Sequence, residues 1–382
     1  STGGRQGLME AQRYPDDFDG IVAGAPVNFY QAMNAAGTWH LQRVFKDSFA
    51  GNLAVDTDGD GSAENLDGVR FLNRLVLERC DVGTARDSIR DGVIDNPLAC
   101  DFDPARELTR FACANDAPAS GCFTKAQIAT VADFYRGPTA ADGSSLYPGK
   151  TKGSELDWIN LFIPHAGNDM NPGMLRGPAG DHVNYLFYDQ DPGVTIPALN
   201  DPHYSPRSGG ANPEFHWLTF DVADLAAGKA QTMSAIMDAT DPDLSSFLIE
   251  RGGKRLLYHG LGDALSVATA TIGYFDDVVD TTFGGSLDAA GEHARLFLAP
   301  GMGHCGGGPG PNSWDKLAPL VDWVERGEAP DQIIATHSEG GAVVNERPLC
   351  VYPAQARYVG QPGRDGEPDN WFAGNFECVA PD

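Results

Sequence analysis

The chain has 382 residues, more than one minimal core requires, so a core joined by a second domain or a large insertion is expected. Its 27 lysines and arginines against 53 aspartates and glutamates leave a formal charge of −26, which argues against nucleic acid and anionic membranes as partners. No run of 18 apolar residues occurs, so no stretch of this sequence is built as a membrane-spanning helix.

The first residues, S-T-G-G-R-Q-G-L-M-E-A-Q-R-Y-P, read as the second half of a strand-turn-helix elbow with Ser1 at its apex. A helix is expected from about Gly4 to Tyr14, stopped by Pro15. Phe18 to Pro26 is a short apolar run between turn residues, the pattern of a parallel strand covered on both faces. The strand feeding the elbow would lie upstream of Ser1, so the expected partners include an N-terminal part of the same protein.

Residues 28–248 break this rhythm. They are rich in Gly, Pro, Asp and Asn, and only scattered helices are expected, at Thr124 to Tyr135 and Asp221 to Met237. The strand-helix alternation then returns. Arg255 to His259 and Arg295 to Ala299 are strand candidates, Ala268 to Val279 is helical in pattern, and a further helix runs to about Arg326 with Gly327 as its stop. After about Ala335 an irregular strap is expected. The division is 1–27 core, 28–248 inserted cap, and 249–382 core plus strap, with a parallel sheet.

Three residues stand where such a sheet ends. Ser1 is at the elbow, Asp263 follows L-L-Y-H-G-L-G-D, and His304 follows L-F-L-A-P-G-M-G-H. Nucleophile, acid and base in this order, each after a strand, are the arrangement of an α/β-hydrolase, here incomplete at its first strands and carrying a large irregular cap or lid. A serine hydroxyl needs a histidine to take its proton, and that histidine needs a carboxylate to hold its tautomer. The backbone N–H of Thr2 is the expected oxyanion donor. His259, four residues before Asp263, is expected to pack beside the acid rather than react.

Seven cysteines lie on loop-like sequence without C-x-x-C knuckles, which favours disulfides and an oxidising compartment over zinc. Cys80, Cys100, Cys113 and Cys122 have three possible pairings; Cys350 with Cys378 is the pairing expected in the tail. Asp56, Asp58, Asp60 and Glu64 fall at positions 1, 3, 5 and 9 of an EF-hand-type loop, with Gly61 at the turn and Asp67 at position 12. Calcium is therefore expected as a structural ion. No organic cofactor is expected.

The stretches S-T-G-G-R-Q-G-L-M-E-A-Q-R-Y-P, L-L-Y-H-G-L-G-D, P-G-M-G-H-C-G-G-G-P-G, V-D-W-V-E-R-G-E-A-P and R-P-L-C-V-Y-P resemble the tannase and feruloyl esterase family of secreted serine esterases. The likeness continues through D-G-V-I-D-N-P, Y-R-G-P and Y-P-G and covers essentially the whole chain. It implies secretion and hydrolysis of aromatic esters such as feruloyl or galloyl esters, free or on a phenolic-acid-decorated polysaccharide. It implies that Cys305, next to His304, is bonded to a cysteine just before Ser1. It also implies a calcium loop of Asp81, Asp87 and Asp91 with the carbonyls of Ile89 and Val93, although the Asp81 to Asp87 spacing is longer than the family's.

Within such a cap, Trp158, Phe162, Tyr185, Phe187, Phe215 and Trp217 could supply a flat apolar slot, and most of them fit the core of the cap equally well, so none is assigned as a substrate contact. Three alternatives remain open: a hydrolase of terephthalate-type monoesters, an N-terminal nucleophile hydrolase using the Ser1 amine as base, and a non-catalytic, calcium-stabilised binding module on the same fold.

Overall fold

The computed structural model of the protein describes residues 1–56, 63–81, 89–165, 182–188, 219–360 and 371–380. Its centre is a three-stranded parallel sheet of β1 (Gly20–Gly24), β2 (Lys254–Gly260) and β3 (Ala294–Ala299), in that order. Val22 pairs with Leu256, which in turn pairs with Arg295. β2 is buried from Arg255 to Gly260, as a parallel strand covered on both faces must be.

Alternate side chains of the strands supply two core layers. Ile21, Leu257 and Leu296 pack against Leu8 and Ala11 of α1 (Thr2–Arg13) and against Ile272, Phe275 and Val279 of the helix Ala268–Phe283. Leu256, Tyr258 and Phe297 pack on the other side against Leu320 and Trp323 of the helix Ala318–Arg326. Truncating the fully buried Leu8 to alanine would cost about 2–5 kcal/mol and loosen α1, whose first residue is Ser1's neighbour. Gly4 allows α1 to sit this close, because a Cβ there would lie 2.4 Å from the Gly24 carbonyl oxygen.

Between β1 and β2 the chain builds a separate helical core. Here α2 (Tyr30–Phe49) and α3 (Asp67–Cys80) join the helices Lys125–Arg136 and Glu155–Leu161 around Leu41, Leu72, Val76, Phe134, Trp158 and Phe162. Thr124 and Gln127 form a reciprocal capping box, which fixes the start of Lys125–Arg136 where the sequence placed it. Disulfides Cys80–Cys100 and Cys113–Cys122 choose one of the three open arrangements.

Several expectations need correction. α2 and α3 are long helices in a region expected to hold only scattered ones. Ala35, Trp39, His40, Leu41, Gln42 and Val44 of α2 are all buried, so little polar face remained to mark it in the sequence. Asp221 to Met237 is two short helices, Ala223–Ala226 and Gln231–Met237, separated where Gly228 takes a φ of +72°. The tail is no irregular strap. It forms one hairpin of β4 (Gln332–Glu339) and β5 (Ala342–Cys350) and a second of β6 (Gln355–Tyr358) and β7 (Phe376–Val379). Cys350–Cys378 joins β5 to β7.

Candidate active site

The loops that follow β2 and β3 meet backbone to backbone. A Cβ on Gly260 would lie 2.2 Å from the Met302 carbonyl oxygen, so only glycine permits the approach. Gly262 N–H donates to that same carbonyl at 2.9 Å. The contact brings Asp263 and His304 together although they are 41 residues apart.

Asp263 is fully buried and fully used. Its Oδ1 accepts the backbone N–H groups of Leu265 (2.8 Å) and Ser266 (2.9 Å), and its Oδ2 accepts from His304 Nδ1 (2.7 Å) and His259 Nε2 (3.0 Å). Burial alone would raise its pKa, but the hydrogen bonds and charges of His259 and His304 outweigh that and hold the carboxyl well below the usual carboxylate range.

His259 is equally enclosed. Its Nε2 faces both Asp263 Oδ2 and the Ser266 carbonyl (2.5 Å), two acceptors, so that nitrogen carries the hydrogen and Nδ1 accepts from the Thr271 hydroxyl (2.8 Å). His259 thereby fixes the acid.

The Nδ1 of His304, pointing at a carboxylate, carries a hydrogen, so in the neutral imidazole the lone pair is on Nε2. That Nε2 is buried with no hydrogen-bond partner among the described residues. Burial pulls the imidazole's pKa down, yet the hydrogen bonds and charges of Asp263 and Cys305 prevail and raise it to about 9. Burial pushes the Cys305 thiol up, and His304 together with the Ser1 nitrogen brings it below its ordinary value. The Cys305 backbone stands at φ +63°, in the left-handed region that favours glycine.

Ser1 precedes α1 as its N-cap and is exposed. Its nitrogen donates to the carbonyls of Gly24 (2.8 Å) and Ala25 at the end of β1 and lies 3.3 Å from Cys305 Sγ. The start of α1, the end of β1 and the loop after β3 therefore converge. Thr2 is the first residue of α1, so its N–H is one of the donors a helix leaves unused, at the positive end of the helix dipole.

The acidic loops are arranged differently. Asp81 accepts from the N–H groups of Asp91 (3.2 Å) and Gly92 (2.8 Å), while Asp91 accepts from Val93 N–H (3.0 Å) and pairs with Arg347 (2.5 Å). Asp95 pairs with the same buried guanidinium. Asp91 and Asp95 thus share one buried guanidinium, while Arg90 lies beside Asp81. Burial raises Asp91, Arg347 opposes it, and repulsion from Asp95 and Asp81 adds to the rise, to about 6. The Ile89 and Val93 side chains are buried. Asp87 lies outside the described residues, as do Asp58, Asp60 and Gly61 of the first acidic loop. Asp67 opens α3 with Arg70 at 3.8 Å, and Asp56 and Glu64 flank the Val55–Asn65 bridge. Among the described residues no three His, Cys, Asp or Glu side chains are grouped so as to hold a metal ion.

The description "Tannase and feruloyl esterase" belongs to a family profile that matches residues 1–371. The chain belongs to the tannase and feruloyl esterase family. Among similar proteins of this family, a mono(2-hydroxyethyl) terephthalate hydrolase of Piscinibacter sakaiensis is 33% identical over 100% of this chain and 63% of its own length. A probable feruloyl esterase B-1 of Aspergillus fumigatus is 31% identical over 97% of this chain and 63% of its own. The crystal structure of feruloyl esterase B from Aspergillus oryzae superposes with a TM-score of 0.74 at 27% identity, covering 99% of this chain and 67% of that one. The chain therefore spans a little under two thirds of the length of these curated relatives. The α/β-hydrolase-type fold expected from the order of elements is that of the family.

This member of the tannase and feruloyl esterase family also brings residues to the site that sequence reasoning passed over. Thr151 Oγ1 donates to the Leu261 carbonyl at 2.5 Å, and Ala264 N–H donates to Asp157 Oδ2 at 3.3 Å. Lys150 is buried between them, its Nζ 4.7 Å from the centre of the Phe162 ring. Nothing in the sequence separates this lysine from one on the surface. Of the slot and the cap core, the described aromatics take the core. Trp158 and Phe162 belong to the helical core, and Phe187 is buried with Trp39 and Phe220. Tyr185 is on the π-helical turn Val183–Phe187, while Phe215 and Trp217 lie outside the described residues.

Proposed function

We propose that the protein is a serine carboxylesterase that hydrolyses aromatic esters of the feruloyl or galloyl kind through an acyl-enzyme. Its support is the buried, partnerless Nε2 of His304, held in the required tautomer by an acid that is itself fully hydrogen-bonded. Ser1 is the nucleophile, reaching His304 across the contact between the Ser1 nitrogen and Cys305. His304 Nε2 takes the hydroxyl proton as Ser1 attacks the ester carbonyl, then returns it to the departing alcohol; water repeats the cycle to release the acid. Asp263 holds the imidazolium, and Thr2 N–H with the amino end of α1 faces the developing oxyanion.

The 33% identity over the full chain to a terephthalate monoester hydrolase supports that substrate class as the second reading. A cap over the site, secretion, and the Cys305 bond to a residue preceding Ser1 are parts of the same proposal; the 3.3 Å approach of Cys305 Sγ to the Ser1 nitrogen supports the last.

Calcium fits the second acidic loop. Asp81 and Asp91 come together there, both raised by burial, and Asp87 and the Ile89 and Val93 carbonyls would complete an oxygen set. When bound, the ion would add positive charge between these carboxylates. The test of the function is turnover of methyl ferulate, methyl gallate and mono(2-hydroxyethyl) terephthalate by the protein and by Ser1→Ala. Turnover abolished by Ser1→Ala supports the esterase. Binding without turnover would favour a non-catalytic module.

A further inference from the structure

We propose that Lys150 and Asp157 form a balanced pair of opposite charges that positions the acid and base loops and sets the proton affinity of His304. The inference rests on Ser1, Asp263 and His304 acting as the triad, and adds two positioning residues to it.

The geometry singles out Asp157. Its Oδ2 accepts from the N–H of Ala264, the residue after Asp263, and both its oxygens lie 3.9 Å from where a Cβ would stand on Gly303, the residue before His304. One carboxylate therefore binds the acid loop and lies beside the base loop. It also lines a cavity of about 470 Å³ shared with Gly262, Gly303, Lys152 and Pro309, which lets water reach its far side and keeps an ionised form affordable.

Lys150 supplies the opposite charge. It is 3% exposed and makes no direct ion pair or side-chain hydrogen bond among the described residues, so it acts through its field. Burial lowers its pKa to about 8, opposed by the charges of Asp263 and Asp157, so the ammonium is charged at neutral pH. Its backbone is pinned: Lys150 N–H donates to the Phe134 carbonyl at 2.8 Å, and Thr151 is tied to Leu261. A buried lysine with no partner of its own is costly unless a field from nearby carboxylates supports it.

The charges around His304, Asp263 and the Lys150–Asp157 pair can be counted by element. The loop after β2 presents Asp263, with His259 behind it. The loop after β3 presents Cys305, with Tyr258 beside the thiol. The segment before the helix Glu155–Leu161 presents Tyr147 and Lys150, and that helix presents Asp157. α2 presents His40, kept neutral by burial and then by Lys150. Among these, Lys150 opposes formation of the imidazolium and Asp157 favours it. Together they leave Asp263 in control.

The two single substitutions therefore move His304 in opposite directions, which loss of packing alone would not do. Histidine NMR titration reads the His304 pKa directly, and the acid limb of kcat/KM reads it through catalysis. Lys150→Met should raise it by about one pH unit and Asp157→Asn should lower it by about one, the size of a unit charge at several ångströms in a partly wet interior. The double variant should return to within a few tenths of a unit of the parent. Equal signs, or no movement in either variant, overturn the proposal. Should Lys150→Met fail to fold, Asp157→Asn decides alone, and an unchanged or raised pKa overturns it. Failure of the triad itself is separate: ester hydrolysis surviving Ser1→Ala removes the triad and leaves the NMR shifts standing.

Discussion

Two buried acidic loops in this molecule reach opposite electrostatic outcomes. The loop after β2 surrounds Asp263 with two backbone N–H groups and two histidines, and the carboxyl stays ionised below its ordinary range. The loop from Asp81 to Asp95 holds Asp91 against Arg347, yet the neighbouring Asp81 and Asp95 and the burial drive it up to about 6. Burial is common to both. Donor supply is what differs: the sheet-end loop gives Asp263 four hydrogen-bond donors, whereas Asp91 shares the buried Arg347 with Asp95, an arrangement a bound cation would stabilise further.

The largest expected effect breaks the first loop. Asp263→Asn keeps the shape but reverses the hydrogen-bond sense toward His304, so turnover should fall by roughly 10³–10⁴-fold with little change in melting temperature. Steady-state kinetics beside a thermal melt would show it, and comparable losses in stability and activity would dissolve the distinction between the two loops.

Next comes the second loop. Arg347→Met strands Asp91 and Asp95 without their buried cation and should cost about 3–5 kcal/mol in denaturant unfolding while leaving the kcat of the folded fraction nearly intact. Chelation is milder. EDTA should lower the melting temperature by several degrees, calcium should restore it, and Asp91→Asn should abolish the difference between the two conditions. A chelator that changes nothing would argue against the proposed ion.

The smallest expected effect concerns pH. Part of the rise in the His304 pKa comes from the Cys305 thiolate. Bonding Cys305 to a preceding cysteine removes that charge, so mild reduction should move the acid limb of kcat/KM upward. Catalysis requires the neutral imidazole and is lost as pH falls through the His304 pKa. An acid limb indifferent to reduction would argue against the bond.

Much of the sheet was readable because its grammar is local. The apolar runs at Ile21 to Ala23, Leu256 to Tyr258 and Leu296 to Leu298, each followed by a Gly-rich loop, mark strands and the places where side chains emerge. α2 was not readable, because a helix buried around most of its circumference has no amphipathic period. The hairpins of the tail were hidden by alternation too weak to see, since Ile334, Val343 and Val344 are exposed. At the candidate site, Asp263, His304 and His259 could be named from their place after strands. Lys150, Thr151 and Asp157 could not, because their importance comes from contacts to residues more than a hundred positions away.

The central claim is that Ser1 is the nucleophile served by His304. Treatment with an organophosphonate ester probe followed by peptide mass spectrometry tests it without reference to the natural substrate. The account predicts a single adduct on Ser1 that disappears in His304→Ala; an adduct on another residue, or labelling of Ser1 undiminished in His304→Ala, would contradict it.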